Sequence, residues 1–180
     1  MHRIPVFAVI FICVWTLNGV TQTVVSPDSA KIIEAARSVM TRVRYAAFIT
    51  NGTDGFPQAR IVDPFAPDSQ MTVWVATNPL TRKVEQIRRN PKVTLFYWDP
   101  DGVSYVTLIG VAELVKDPEL KARYWKEDWV NFYKDRWRGD DYVLIRIRPV
   151  RLEVVSYEFG ILNAPENWRP PAIQFQGNGK

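Results

Sequence analysis

Apolar residues fall along the chain in two patterns, a helical stripe first and then a series of short β-prone runs. After Ser26-Pro27-Asp28, which has a cap residue followed by Pro at the first helical position, Ile32, Ile33, Ala36, Val39 and Met40 fall on one side at helical spacing. This predicts a helix over residues 28–41. Apolar, β-prone runs between turn clusters then take over and predict strands at Tyr45–Thr50, Pro57–Val62, Met71–Ala76, Val93–Trp98 and Val103–Val115, the last bent near Gly110. Tyr142–Arg148 and Arg151–Tyr157 complete the set, separated by Pro149-Val150. Asn51-Gly52-Thr53-Asp54-Gly55 and Asp99-Pro100-Asp101-Gly102 read as turns, and Asp63–Gln70 as a loop. A second helix runs from about Leu80 to Arg89 and stops ahead of Asn90-Pro91. A third opens at Asp117-Pro118-Glu119, breaks near Asp128 and resumes to about Trp137. The chain after Gly160 is rich in Pro, Asn and Gly and reads as an irregular tail over 161–180.

Six to seven mostly antiparallel strands with flanking helices predict a mainly β, α+β domain over residues 26–160, built as a closed or partly closed barrel. The βαβ alternation of a Rossmann sheet is absent.

Ahead of this domain, His2 and Arg3 precede an apolar run from Ile4 to Leu17, broken by Asn18-Gly19. The run is too short for a straight span and matches the apolar core of a signal peptide over residues 1–25. A buried strand or a membrane anchor is the alternative. The expected location is periplasmic or extracellular, or cytoplasmic if the segment is not a signal. Cleavage would remove Cys13 and His2, the single cysteine and single histidine of the 180 residues. The mature chain would then have no thiolate nucleophile, disulfide, Ser-His triad or ordinary zinc site, and no metal site is expected. Net charge is +4, with Lys and Arg spread along the chain. That balance favours anionic ligands without marking a nucleic-acid protein.

One segment concentrates chemistry: Val75-Ala76-Thr77-Asn78-Pro79-Leu80-Thr81-Arg82-Lys83-Val84. A strand ends at Ala76 and a helix begins near Thr81, which puts Thr81, Arg82 and Lys83 in the first helical turn. Cations there oppose the positive end of the helix dipole. A phosphate would reverse that balance by meeting free amides, the Thr77 and Thr81 hydroxyls and both charges. A solvated helix start with Thr81 as a simple cap is the plain alternative. Tyr124, Trp125, Trp129, Phe132, Tyr133 and Trp137 form an aromatic series that reads first as packing, with a lid over a cofactor as the other reading.

Several ordered motifs share one register. Arg60-Ile61-Val62 lies on a strand and Ala76-Thr77-Asn78 ends another. Thr81-Arg82-Lys83 opens the helix, followed by Val84-Glu85-Gln86-Ile87, Asn90-Pro91-Lys92-Val93 and Ile109-Gly110-Val111-Ala112-Glu113. In these residues the chain resembles the FMN-binding split-barrel family related to pyridoxamine 5'-phosphate oxidase, in particular its short general-stress-protein branch. The resemblance implies a homodimer with FMN at the two-fold interface. Arg82 and Lys83 would hold the FMN phosphate, helped by Arg60, Thr77 and Thr81. The backbone of Arg60, Ile61 and Val62 would run along the flavin ring, beside Ala76. Tyr105 stands where oxidases of the family often carry a Gln that reaches the flavin, and Trp168 or Arg169 could reach the partner's flavin. Asp63-Pro64-Phe65 departs from the true oxidases, which place a Lys there for the substrate phosphate. The implied activity is an FMN-dependent oxidoreductase acting on an unidentified small molecule. A flavin, deazaflavin or haem carrier without turnover is the alternative.

Overall fold

The computed structural model describes residues 27–175. The Ser26 cap and the signal-like segment lie outside the described residues. Three α-helices and seven strands follow in the order α1 (Pro27–Arg42), β1 (Ala46–Asn51), β2 (Pro57–Val62), β3 (Val73–Thr77), α2 (Arg82–Arg89), β4 (Lys92–Asp99), β5 (Ser104–Val115), α3 (Pro118–Arg123), β6 (Val143–Ser156) and β7 (Ala172–Gln174). The strands form one antiparallel sheet in the order β2-β1-β4-β5-β6-β3, and β7 pairs with β6 beyond β3. The strand path is open, with β2 and β3 at its ends.

Alternation along the strands sorts side chains between an inner and an outer face. Phe48, Leu95, Leu108, Ile147 and Leu152 point inward and pack with Ala35, Ala36, Val39 and Met40 of α1 in one fully buried core. Ile32 and Ile33 pack against its margin, so the helical stripe is the face α1 buries. A second cluster forms where Trp74, Tyr142 and Leu144 gather Phe65, Tyr124, Trp125, Trp129, Tyr133 and Trp137.

The two predicted strands on either side of Pro149-Val150 are one strand, β6. Gly110 pairs with Pro149 and Ile109 with Arg151, which leaves Val150 as the extra residue of a β-bulge. A proline with no N–H is tolerated at such an interruption. Gly110 meets a tight spot on the other side, because a Cβ there would lie 2.5 Å from the Arg148 carbonyl oxygen. Gly110→Ala is expected to destabilise the fold by about 1–3 kcal/mol through forced backbone shifts, measured as a lower urea midpoint with unchanged slope.

Two other elements depart from the sequence reading. The third helix starts as expected, with the Asp117 carboxylate accepting from the Leu120 amide at 2.8 Å, but ends at Arg123. The Tyr142 hydroxyl donates to the Tyr124 carbonyl there, and the chain continues through short 3₁₀ turns at Glu127–Trp129 and Arg136–Arg138. Aromatic packing around Tyr142 replaces the expected second helical run. The tail is not wholly irregular, since β7 caps the free edge of β6 over Arg151–Glu153.

Helix α1 is tied to the β4–β5 turn by Arg42, whose guanidinium pairs with Asp99 at 2.6 Å. Burial pushes the Asp99 carboxyl up, but the Arg42 bonds and the Gly102 amide outweigh it and hold the group below its ordinary value. A depressed carboxyl stabilises the fold above its unfolded pKa and loses that contribution as pH falls through the folded value. The thermal stability gap between the protein and its Arg42→Ala variant is therefore expected to narrow from pH 7 to pH 2.

Candidate functional site: a cationic pocket at the start of α2

Strand β3 ends at the buried Thr77, and the turn Asn78–Thr81 delivers the chain into α2. Asn78 shapes that turn, its side-chain oxygen accepting from the Leu80 amide at 2.9 Å and its carbonyl from the Thr81 amide at 3.2 Å. Thr81 is the cap residue rather than part of the first helical turn, and its hydroxyl donates to the Asn78 carbonyl at 2.9 Å. It makes no side-chain cap bond. The first-turn amides of Arg82 and Lys83 thus keep the unsatisfied character of any helix start.

Lys83 folds back over the turn, and its Nζ donates to the Thr77 hydroxyl at 2.8 Å. The Thr77 and Thr81 hydroxyls stand 3.4 Å apart. Arg60 comes from the edge strand β2, on the inner face beside Phe48. Its Nη1 donates to the Phe48 carbonyl at 3.1 Å and to Thr50 Oγ1 at 2.6 Å, and its Nη2 to Gln86 Oε1 at 3.1 Å. Gln86 is 5% exposed, also accepts from Thr50 Oγ1 at 2.5 Å, and donates to Gln58 Oε1 at 2.8 Å. Helix α2 and strands β1 and β2 are stitched together through this one side chain.

The electrostatics are one-sided. Burial, and then repulsion from Arg82, lowers the Arg60 pKa below its ordinary value. Burial, and then repulsion from Arg60, does the same to Lys83. Among the described residues, none of Arg60, Arg82 and Lys83 enters an ion pair, although Arg and Lys elsewhere find carboxylates. Three cations face one another with neutral hydroxyl, amide and carbonyl partners. An anion with several acceptor oxygens fits here, since it would relieve the repulsion and take up the free amides. A phosphate group meets that description, and so does the phosphate end of FMN.

The other predicted positions surround this pocket or face away from it. Val62 is buried, while Ile61 is 69% exposed on the outer face, in a register row with Ala47, Phe96 and Thr107. Ala76 is half-buried one residue before Thr77. Tyr105 lies on the outer face with its ring 5.8 Å from Phe96, and burial followed by Glu153 raises its pKa. Among the described residues, no hydrogen bond or ion pair joins it to any of the three cations. Trp168 and Arg169 are exposed in the tail, where the Trp168 amide donates to the Ala164 carbonyl at 2.7 Å. Thr50, Gln58 and Gln86 were not singled out as site residues. The available signal was Thr50 at an inward strand position after Ala46 and Phe48, because a polar residue in that register needs a partner. Among the described residues, no group of acidic, His or Cys side chains could hold a metal.

Comparison with known proteins bears on the fold and the family. No curated protein sequence matches the chain. A solved general stress protein 26 from Bacillus anthracis is 21% identical, with a TM-score of 0.64, covering 79% of this chain and 97% of that one. A general-stress-protein-26-related protein of Clostridium acetobutylicum is 19% identical, with a TM-score of 0.66 and coverages of 81% and 94%. A heme binding protein from Mycobacterium smegmatis is 23% identical, with a TM-score of 0.56, and is covered over 53% of its own length. These likenesses establish the fold. The family model for pyridoxamine 5'-phosphate oxidase matches residues 32–156, which contain every strand from β1 to β6 and the whole cationic pocket, and the chain therefore belongs to that family.

Proposed function

We propose that the protein binds FMN, with the phosphate in the pocket of Arg60, Thr77, Thr81, Arg82 and Lys83, and acts as an FMN-dependent oxidoreductase on a small molecule. The observation that carries this reading is that Arg60 of β2 and Arg82 and Lys83 at the start of α2 face one another with no carboxylate partner among the described residues. Arg82 and Lys83 neutralise the phosphate, Thr77 and Thr81 offer hydroxyl donors, and Gln86 holds Arg60 in place. The backbone of Arg60 to Val62 can offer N–H and C=O groups to the pyrimidine edge of the ring. FMN supplies hydride or electron transfer when bound, while the protein orients and tunes it. Nothing in this requires a nucleophilic side chain.

The homodimer belongs to the same proposal. Ala47, Phe96 and Tyr105 leave a partly exposed apolar strip on the outer sheet face, which a second protomer would cover while bringing its own Tyr105 toward the ring. Export through the Ile4–Leu17 segment is also proposed, with the flavin acquired after transport.

Titrating the purified protein with FMN and following flavin absorbance tests the binding. The expected result is a shifted flavin spectrum saturating at one FMN per chain. Reduction of that complex by NADH or NADPH, followed by reoxidation, separates a redox enzyme from a carrier. Saturable binding with no turnover would leave the carrier reading in place of the enzyme.

A further inference from the structure

A cleft of about 300 Å³ opens beside Ile61 and Val62 and is lined also by Arg44, Tyr45, Asp63, Asp128, Trp129 and Phe132. Three large apolar side chains in this one cleft stand open: Tyr45 at 52%, Ile61 at 69% and Phe132 at 76% exposure. Its neighbours in the aromatic series behave differently. Trp125, Trp129, Tyr133 and Trp137 turn into the second core, where Trp129 packs edge-on against Phe65 at 5.6 Å. Phe132 turns outward over the cleft.

The charges in the wall are already matched. Arg44 bridges the cleft, donating to Asp63 Oδ2 at 3.1 Å on one side and to Asp128 Oδ2 at 2.6 Å on the other. Lys126 takes the second Asp63 oxygen at 2.6 Å, over the rings of Phe65 and Trp129. Two carboxylates meet two cations, and no cation is left over for an anionic ligand. This is the reverse of the pocket at Arg60, Arg82 and Lys83. Asp63 adds a negative charge to this wall, already paired with Arg44 and Lys126.

We infer that this cleft is the binding site for an uncharged aromatic small molecule of one ring system, held between Tyr45, Ile61 and Phe132. Its volume suits a bicyclic ring, at the lower end of small-molecule pockets. Aromatic walls pair with an aromatic guest in offset or edge geometry, and charge-balanced walls give a phosphate or carboxylate no compensation for its desolvation. The role of this molecule as substrate rests on the FMN reading, because Ile61 and Val62 are shared with the proposed ring edge. Binding itself does not depend on FMN.

The test uses 2-naphthol and 2-naphthyl phosphate as probes in calorimetric titrations, alongside FMN. Naphthol is expected to bind once per chain. Phe132→Ala and Tyr45→Ala are each expected to weaken it about tenfold, from the apolar contact removed, with Phe132→Ala leaving FMN affinity unchanged. Arg82→Ala with Lys83→Ala is expected to remove FMN binding and leave naphthol binding intact. Should FMN fail to bind while naphthol behaves as described, the flavin reading falls and the cleft stands. The cleft assignment is overturned if naphthol does not bind, if Phe132→Ala leaves its affinity unchanged, or if the phosphate ester binds this cleft more tightly than naphthol. It is equally overturned if Phe132→Ala alters only dimer dissociation, because a second copy of the chain then covers the cleft.

Discussion

Replacing Arg82 and Lys83 together by Ala is expected to lower FMN affinity by at least about two orders of magnitude, at roughly 1.5–3 kcal/mol for each charge-assisted bond to a phosphate. Fold stability should be unchanged or slightly higher. Arg82 is exposed and Lys83 carries a pKa already lowered by burial and by Arg60, so removing them relieves repulsion in the free protein. Cations in the first turn also oppose the helix dipole. Equilibrium unfolding without FMN, beside binding titrations, checks both signs. A variant that loses affinity and also unfolds more readily would mean that the two residues serve the fold.

Gln86→Leu is expected to act in the opposite sense on stability, lowering it by roughly 2–4 kcal/mol. The amide side chain is buried and serves Thr50, Arg60 and Gln58 at once. Leucine would leave a buried hydroxyl, a guanidinium and an amide short of partners, and Arg60 would lose the contact that aims it. FMN affinity should fall as well, by about tenfold, through Arg60 alone. Gln86→Glu provides the contrast. It keeps an acceptor for Thr50 and Arg60, so more of the stability should survive, but its charge would pair with Arg60 and repel a phosphate. Loss of FMN binding in a well-folded Gln86→Glu protein would tie affinity to the charge of the pocket rather than to its shape.

Much of the architecture was legible because its elements are local. The Pro57–Val62 strand, the Asn51–Gly55 turn with Gly55 at φ 83°, and the α1 stripe each follow from spacing and turn chemistry within a few residues. The elements that departed are set by distant partners. Pro149-Val150 looks like a break in sequence, yet the pairing of Gly110 with Pro149 carries β6 through it as a bulge. Ala172–Gln174 has no strand signal of its own and is fixed by the open edge of β6. The run after Arg123 keeps helical spacing of its aromatics, but Tyr142 and Trp74 pull them into a cluster that a helix would not satisfy.

The pocket divides along the same line. Thr77, Thr81, Arg82 and Lys83 lie within seven residues at a strand-to-helix turn, so their grouping was visible in the chain. Arg60 entered through the family resemblance, and the contacts that hold it come from Thr50 and Gln86, far apart in sequence and joined only by the folded sheet. Asp63 reads in sequence as a missing lysine. In the structure it is a carboxylate shared between Arg44 and Lys126.

The proposed role for the one-sided charge of Arg60, Arg82 and Lys83 is to hold a flavin phosphate. Comparing the affinities of FMN and riboflavin for the purified protein tests it most directly, because the two differ only by that phosphate. One FMN per chain is expected, bound at least about a hundredfold more tightly than riboflavin at moderate salt. Equal affinities, or saturation by riboflavin alone, would contradict it.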